Sequence, residues 1–239
     1  MKSLIFFILS VSLPALVFCQ CDLSDLTKDL STQSGRIANS YLEEVNVAST
    51  LNRGTLEIKN YAKDEHPYFV KNEWISGSLT YDDIFYPEVP LKYDITKEVL
   101  ITRNSLGIIY SLRSDKVKNF KLFDRIFINH NYGKEGDSRL LEVKNCGQVS
   151  LFLQSNKAYK ELIEPPSVRI VYEREETYLL YKDGEFHKLG GRKSILKLLE
   201  DQKKALKTFI KEENLYASEG KDNFFSKVTA YYNSMMENQ

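Results

Sequence analysis

The chain has 239 residues, with 33 basic and 33 acidic side chains and a formal net charge of zero. A chain without net charge offers no electrostatic footprint for a polyanion, so the composition argues against nucleic acid as a partner. This length suits one domain with an appendage, and it can bury a sizeable core without disulfide staples.

The first nineteen residues carry the pattern of a secretory signal peptide. Lys2 supplies one positive charge, and an apolar and small-residue run follows over residues 4–18. This run is shorter than the ~20 apolar residues with which a helix crosses a bilayer, and Cys19 ends it in the manner of a cleavage site. We therefore expect cleavage after Cys19 and export of a mature chain that begins at Gln20.

Two other interpretations of this segment are weaker. A lipoprotein signal places a small residue before the acylated cysteine, whereas Phe18 precedes Cys19 and Gln20 precedes Cys21. A retained anchor carries basic flanking residues, whereas Asp22 follows here. The sequence therefore predicts an exported protein that is periplasmic, associated with the outer membrane or secreted, and not transmembrane once the signal is removed.

Export also bears on the cysteines. Removal of the signal peptide leaves Cys21 and Cys146, and an oxidising compartment allows them to pair. Two unrelated cysteines, one near a chain end, are an equally weighted alternative. A nucleophilic role for Cys146 has no partner histidine nearby in the sequence.

A polar lead-in covers residues 20–53 and holds one short candidate helix at residues 37–45. Short apolar segments then recur over residues 54–189 with turn residues between them, which is typical of an antiparallel meander. The chain contains 15 Tyr and 13 Phe, and half-buried sheet faces favour such aromatic residues. We therefore expect an antiparallel β domain over residues 54–189.

The clearest strand covers residues 74–81, where apolar and polar residues alternate. Residues 85–94 repeat the alternation but contain Pro87 and Pro90. Because proline cannot donate to a ladder, we expect an edge strand or a bulge there. Further strands are predicted at residues 98–102, 107–113, 125–129, 139–144, 148–154, 167–173, 178–182 and 185–189.

Turn residues and a change of period complete the predicted fold. Asp183-Gly184 joins the last two strands and is a strong hairpin signal. Residues 195–210 then show the period of an amphipathic helix, Asn214 suits its end, and Asp222 can cap a second helix. The predicted fold class is α+β and β-rich: an antiparallel meander, as a curled or barrel-like sheet, with a C-terminal helical hairpin over residues 190–239.

Signatures of catalysis and metal binding are missing from the sequence. His66, His130 and His187 show no metal-ligand spacing, so ordinary loop or surface histidines are the favoured interpretation. No GxSxG elbow occurs, and the segment after Gly190 lacks the earlier glycine of a P-loop. The sequence therefore predicts no catalytic residue, no cofactor and no metal ion.

Acidic doublets are the remaining candidates for acid–base chemistry. They are Glu43-Glu44, Asp82-Asp83 and Glu175-Glu176, and paired carboxylates are the groups that hydrolyse glycosides. Adjacent residues on a strand point to opposite faces, however, so a doublet alone does not make a catalytic pair. We expect Asp82-Asp83 to turn the chain, and a hydrolase that uses Asp82 or Glu175 is the weakest hypothesis.

The first predicted helix has a lysine-rich face. Clustered lysines above an apolar stripe allow a helix to lie on anionic lipid, but Glu200 and Asp201 dilute the positive charge. A solvated face is the favoured interpretation, and membrane association is the alternative. The lysines are Lys197, Lys203, Lys204, Lys207 and Lys211.

Three stretches carry a resemblance to other proteins. They are WISGSLTY at residues 74–81, VPLKYD at 89–94 with EVLI at 98–101, and LLEDQKKALKTFIK at 198–211 followed by YYN at 231–233. In these stretches the chain resembles uncharacterised secreted proteins of Bacteroidota-type bacteria, over most of residues 54–235. The resemblance implies an envelope or secreted location, an antiparallel sheet with terminal helices, and no activity to transfer.

The leading hypothesis is an exported, non-catalytic module that binds a partner or supports the cell envelope. We expect the partner to be an unknown envelope protein or ligand rather than nucleic acid. The alternative is a curled sheet that holds a small molecule or a glycan among its Tyr and Phe side chains. A cavity inside the sheet favours that alternative, and a filled core favours an interaction protein.

Overall fold

The computed structural model describes residues 54–56, 65–131, 133, 138–164 and 167–237. The predicted signal peptide at residues 1–19 and the predicted helix at residues 37–45 lie outside these residues. The described chain forms eleven strands followed by three helices. The strands are β1 (Thr55–Leu56), β2 (Ile75–Tyr81), β3 (Ile84–Asp94), β4 (Val99–Arg103), β5 (Ile109–Ser111), β6 (Val117–Leu122), β7 (Arg125–Asn129), β8 (Leu140–Asn145), β9 (Ser150–Glu164), β10 (Ser167–Lys182) and β11 (Glu185–Leu189), and the helices are α1 (Arg192–Leu198), α2 (Lys203–Glu212) and α3 (Lys221–Glu237).

All the described strands join one antiparallel sheet in the order β1-β5-β4-β3-β2-β6-β7-β8-β9-β10-β11. Strands that follow one another in sequence are mostly neighbours in space, and the main exception is β6, which pairs with β2. The two ends of this order, β1 and β11, are not paired with each other, so the described sheet is open. The predicted β-rich, antiparallel arrangement is confirmed.

Two tight turns follow directly from the sequence. Asp183-Gly184 joins β10 to β11 with positive φ angles of 53° and 88°, as a type I′ hairpin turn requires. Asp82-Asp83 joins β2 to β3 with φ angles of 53° and 60°. Aspartate tolerates this left-handed region better than most side chains do. The prediction that Asp82-Asp83 turns the chain is confirmed.

The proline-containing segment is an interior strand and not an edge strand. β3 pairs with β2 on one side and with β4 on the other, so the edge prediction is wrong. The bulge prediction is confirmed, because the β2–β3 register shifts between Gly77 and Leu79, beside Pro87. A bulge lets proline occupy an interior strand since the bulged residue leaves the hydrogen-bonded ladder.

The predicted strands are too short in two places, and two strands are missing from the prediction. The apolar pattern ends at residue 154, whereas β9 continues to Glu164. The segments 167–173 and 178–182 belong to one strand, β10. Most side chains of both extensions whose exposure is described are exposed, so burial imposes no regular alternating pattern on them. The unpredicted strands are β1 and β6.

The first hydrophobic core lies on one face of strands β2 to β8. Phe69, Tyr93, Phe120 and Phe127 are each at most 2% exposed, and their ring centroids are 4.5 to 6.1 Å apart. The Tyr93 hydroxyl on β3 lies 3.5 Å from the Leu140 carbonyl oxygen on β8, although three strands separate β3 from β8 in the sheet. Among the described residues, these aromatic side chains therefore fill the space enclosed between β3 and β8.

The second hydrophobic core lies between the three helices and strands β9 to β11. Aromatic packing joins the helices, because the rings of Phe209 on α2 and Tyr231 on α3 stack with centroids 4.1 Å apart. The apolar stripes predicted for the C-terminal segment face this core. The buried residues that α1, α2, α3 and the α1–α2 junction contribute to it are Ile195, Leu196, Leu199, Leu206, Ile210, Phe224, Phe225, Val228 and Tyr232.

The prediction of a single long helix over residues 195–210 is wrong, because the segment forms two helices. A 3-10 turn over Glu200–Gln202 separates α1 from α2. Leu199, at 0% exposure, leaves the helical region with φ −108° and ψ 45°. The Lys182 ammonium donates to the Leu198 carbonyl oxygen at 2.9 Å, which satisfies one of the acceptors that the end of a helix leaves open.

The cap predicted for the last helix is also wrong. Asp222 lies within the first turn of α3 and does not precede it. Its carboxylate instead accepts from the Lys144 ammonium of β8 at 2.9 Å. A negative charge in the first turn is still favourable, because the N-terminal end of a helix carries a partial positive charge.

Candidate functional site

The longest strands form a hairpin that extends beyond the sheet. β8 pairs with β9 only as far as Leu153, and β11 pairs with β10 only from Tyr178. Between those points β9 and β10 pair with each other alone among the described strands. We call residues 154–164 and 167–177 the arm.

The outer half of the arm carries apolar side chains in water. Ile163 is 77% exposed, Tyr159 is 59% exposed, Ile170 is 40% exposed and Leu162 is 39% exposed. The strand register places Tyr159, Ile163 and Ile170 on the same face of the ribbon. Grouped exposed apolar residues of this kind mark contact surfaces in soluble proteins.

The inner half of the arm is fixed to the body of the protein. The Lys157 ammonium donates to the carbonyl oxygens of His66 at 2.9 Å and Tyr68 at 2.6 Å. Arg174 donates to Ser155 Oγ at 3.0 Å, and its guanidinium lies 4.9 Å from the centroid of the Phe69 ring. Burial, together with the charge of Arg174, lowers the pKa of Lys157 to about 8. Body contacts therefore hold the inner half, and only the outer half is available to a partner.

A second cluster combines two cations with an aromatic ring. The Lys92 ammonium lies 4.8 Å from the centroid of the Trp74 ring and 4.8 Å from that of Tyr68. The Arg103 guanidinium lies 5.0 Å from the Trp74 ring. Asn72 Oδ1 accepts a hydrogen bond from Lys92 at 2.7 Å. We call Trp74, Lys92 and Arg103 the tryptophan cluster.

A polar cleft of about 420 Å³ lies beside the base of the arm. Its two carboxylates are engaged, because Glu98 accepts from Gln154 Nε2 at 3.0 Å and Asp115 accepts from Arg113 at 2.9 and 3.2 Å. The hydrogen bonds from Arg113 lower the pKa of Asp115. These contacts favour a structural role for both carboxylates. The cleft is lined by Thr96, Lys97, Glu98, Ser114, Asp115, Ser138 and Asn156.

A buried carboxylate on β8 also has a structural role. Glu142 on β8 is 3% exposed and accepts from Arg125 at 3.1 Å and from Lys144 at 3.1 Å. Lys144 also contacts Asp222, so these charges connect the sheet to α3. Burial alone would lower the pKa of Lys144, but the two carboxylates outweigh it and raise that pKa.

The three histidines occupy separate structural environments. His66 is buried, and its Nδ1 accepts from the Tyr68 N–H at 3.1 Å. His130 is exposed and packs its ring edge to face against Phe186. His187 lies half-buried on β11. Within the described chain, no group of three or more His, Cys, Asp and Glu side chains is arranged to hold a metal ion.

Among the described residues, no contact brings the carboxylates of the acidic doublets together as a catalytic pair. Asp82 lies in its exposed turn and accepts from the Lys116 ammonium at 2.8 Å. Glu175 is exposed on the arm, opposite Asn156. Glu43-Glu44 lies outside the described residues.

Cys146 lies in the loop between β8 and β9, and it is disulfide-bonded. The sequence contains two other cysteines, Cys19 and Cys21, and both lie outside the described residues. The sequence leaves open whether Cys21 pairs with Cys146 or the two are unrelated, and the structure shows that Cys146 forms a disulfide.

The lysines of the predicted basic helix face are all exposed on α1 and α2. None of the helices in the described ranges is both long enough and apolar enough to cross a membrane.

Comparison with known proteins gives no match: no family model, no curated protein and no solved structure is similar to this chain.

Proposed function

We propose that the protein is an exported interaction module that binds another polypeptide through the outer half of the arm. The observation that carries the proposal is the group of exposed side chains that Tyr159, Ile163 and Ile170 form on one face of the arm. A two-stranded ribbon is only marginally stable by itself in water. A partner that covers these side chains would remove their apolar surface from water and stabilise the arm.

The partner that fits this surface is an extended segment of another protein. Within the arm, β9 and β10 pair with each other, and the outer edge of each strand is not covered by any described strand. Such edges offer backbone N–H and C=O groups to an added strand, while side chains on alternate positions select its sequence. Mixed charges such as Lys160 and Glu173, which form an ion pair at 2.6 Å, provide no field for a polyanion.

Export is supported by two independent features. The N-terminal sequence has the layout of a signal peptide. Cys146 is disulfide-bonded, and structural disulfides persist in exported proteins while cytosolic thiols are kept reduced. We infer that its partner is Cys21, because signal cleavage removes Cys19.

The enclosed-ligand alternative receives no support from the described interior. Contact between Tyr93 and Leu140 supports a curled sheet, but Phe69, Phe120 and Phe127 fill the space inside it. The stacking of Phe209 on Tyr231 supports a helical hairpin of α2 and α3, which closes the second core.

Cross-linking in intact host cells tests the arm. An amine-reactive cross-linker is expected to join Lys160, whose side chain is 60% exposed, to one defined partner protein. The double variant Tyr159→Ser/Ile163→Thr should lose this product. Because both side chains are exposed, its free energy of unfolding should stay within about 0.5 kcal/mol of the original.

The matched control is Leu106→Ser, which removes an apolar side chain that is 81% exposed but lies in the β4–β5 turn. This variant should keep the cross-linked product. A product that survives in the arm variant, or that disappears equally in the control, contradicts the proposal. Peptide mass spectrometry of the unreduced host protein should also show an N-terminus at Gln20 and a Cys21–Cys146 disulfide, and an intact Met1 would contradict export.

A further inference from the structure

The tryptophan cluster lies on the sheet face opposite the first core. Lys92 faces Ile101 in the β3–β4 register, so Arg103 lies diagonally two residues further on the same face. Leu91 and Tyr93, on either side of Lys92, point into the first core. Trp74 directly precedes β2, and its ring contacts both cations.

The two positive charges of this cluster lie beside one aromatic ring. Within the described chain, neither Lys92 nor Arg103 forms an ion pair with a carboxylate. Since each cation contacts the same ring, the charges are at most about 10 Å apart, close to the Debye length of about 8 Å at physiological salt. Burial, together with the positive charge of Arg103, lowers the pKa of Lys92.

We propose that the tryptophan cluster binds an oxyanion, a carboxylate or a sulfate, carried on a sugar ring. The anion accepts charge-assisted hydrogen bonds from Lys92 and Arg103. The half-buried indole of Trp74 provides apolar surface for the C–H groups of the sugar. Arg103 is exposed and Lys92 is half-buried, so a ligand reaches both from solvent. This inference does not depend on the arm, because no residue of the arm contributes to the cluster.

Fluorescence provides a direct test, because Trp74 is the only tryptophan of the chain. Titration of the full exported protein with sodium glucuronate at low ionic strength should give a saturable change in emission. Inorganic sulfate should compete with glucuronate, because it supplies the anion without the ring. Glucose, which has the ring without the charge, should give no saturable change.

Variants at the two cations should weaken glucuronate binding. Arg103→Gln and Lys92→Gln should each lower the affinity by about tenfold or more. Arg103→Glu should abolish binding, because it places a carboxylate where the ligand's anion would lie. Arg103 is exposed, so the Arg103 variants keep the test valid if the Lys92 variant fails to fold.

The control is Lys121→Gln/Lys188→Gln, which removes two exposed cations of other strands and changes the net charge by the same amount as Arg103→Glu. It should keep the original affinity. Three results would each overturn the proposal: no saturable response to glucuronate or sulfate, equal binding of glucose, or unchanged binding in Arg103→Glu. Equal loss of binding in the control would also overturn it, because overall charge would then explain the effect.

Discussion

The side-chain amide of Asn233 on α3 forms two hydrogen bonds with the backbone of Val149, in the loop between β8 and β9. Its oxygen accepts from the Val149 N–H at 3.0 Å, and its nitrogen donates to the Val149 C=O at 2.9 Å. Asn233 is 6% exposed and Val149 is 1% exposed. These bonds attach the last helix to the loop that contains the disulfide-bonded Cys146.

Replacement of Asn233 by alanine should destabilise the protein. The Val149 N–H and C=O would stay buried without partners, and each such group costs ~1–3 kcal/mol. We expect Asn233→Ala to lower the free energy of unfolding in urea by about 2–4 kcal/mol. Asn223→Ala, at an exposed position of the same helix, should change it by less than about 0.5 kcal/mol. Equal effects of the two variants would show that the Val149 contacts are not a stabilising attachment.

A neighbouring glycine should be coupled to the same contact. A Cβ at residue 147 would lie 2.5 Å from Asn233 Nδ2 and 2.6 Å from Asn233 Cγ. Gly147→Ala should therefore push the amide out of place and cost about 1–3 kcal/mol. In an Asn233→Ala background the same change should cost at least about 0.5 kcal/mol less. A double-mutant cycle in urea measures this difference, and strictly additive effects would contradict the steric explanation.

Local features of the fold could be predicted because their causes are local. Asp183-Gly184 needs only its own backbone preferences to form a turn. The stripes of α1 to α3 follow from burial of one helix face. The break at Leu199 could not be predicted from the local sequence, because it depends on a tertiary contact. The Lys182 ammonium of β10 donates to the carbonyl oxygen at the end of α1.

The arm and the tryptophan cluster could not be predicted, for different physical reasons. The arm lacks an alternating pattern because both faces of its outer half meet solvent, and periodicity reports burial. The tryptophan cluster depends on the β3–β4 register, which the turn after Asp94 sets. Lys92 and Arg103 are adjacent only in that register.

Relief of a strained turn residue should stabilise the protein. Asp83 is exposed and has a φ of 60°, where a side chain costs energy that glycine does not incur. Asp83→Gly should raise the free energy of unfolding by about 0.5 kcal/mol, and Asp82 keeps its ion pair with Lys116.

The reverse change at the other tight turn is the control. Gly184 has a φ of 88° and no neighbouring atom within 4 Å of an added Cβ, so any cost of Gly184→Ala comes from the backbone alone. We expect that variant to lose about 1 kcal/mol. Changes of the same sign in the two variants would contradict the assignment of backbone strain to Asp83.

Buried tyrosines should make the fold sensitive to alkali. Burial, with a smaller contribution from the Glu98 and Asp94 carboxylates, raises the pKa of Tyr93 well above its ordinary value. The unfolded chain ionises this hydroxyl near pH ~10, while the folded chain keeps it protonated. The stabilisation is therefore complete below pH ~10 and is lost as the pH rises towards the folded-state pKa.

Tyr93→Phe removes the ionising group but keeps the ring in the first core. At pH 11 the unfolded wild type gains about 1.4 kcal/mol from ionisation of Tyr93, so the variant should lose that much less stability between pH 8 and pH 11. Urea denaturation at the two pH values measures the difference. Tyr216→Phe, at a side chain that is 54% exposed, should show the wild-type loss. An equal loss in Tyr93→Phe and wild type would mean that the hydroxyl ionises as readily in the folded core as in the unfolded chain.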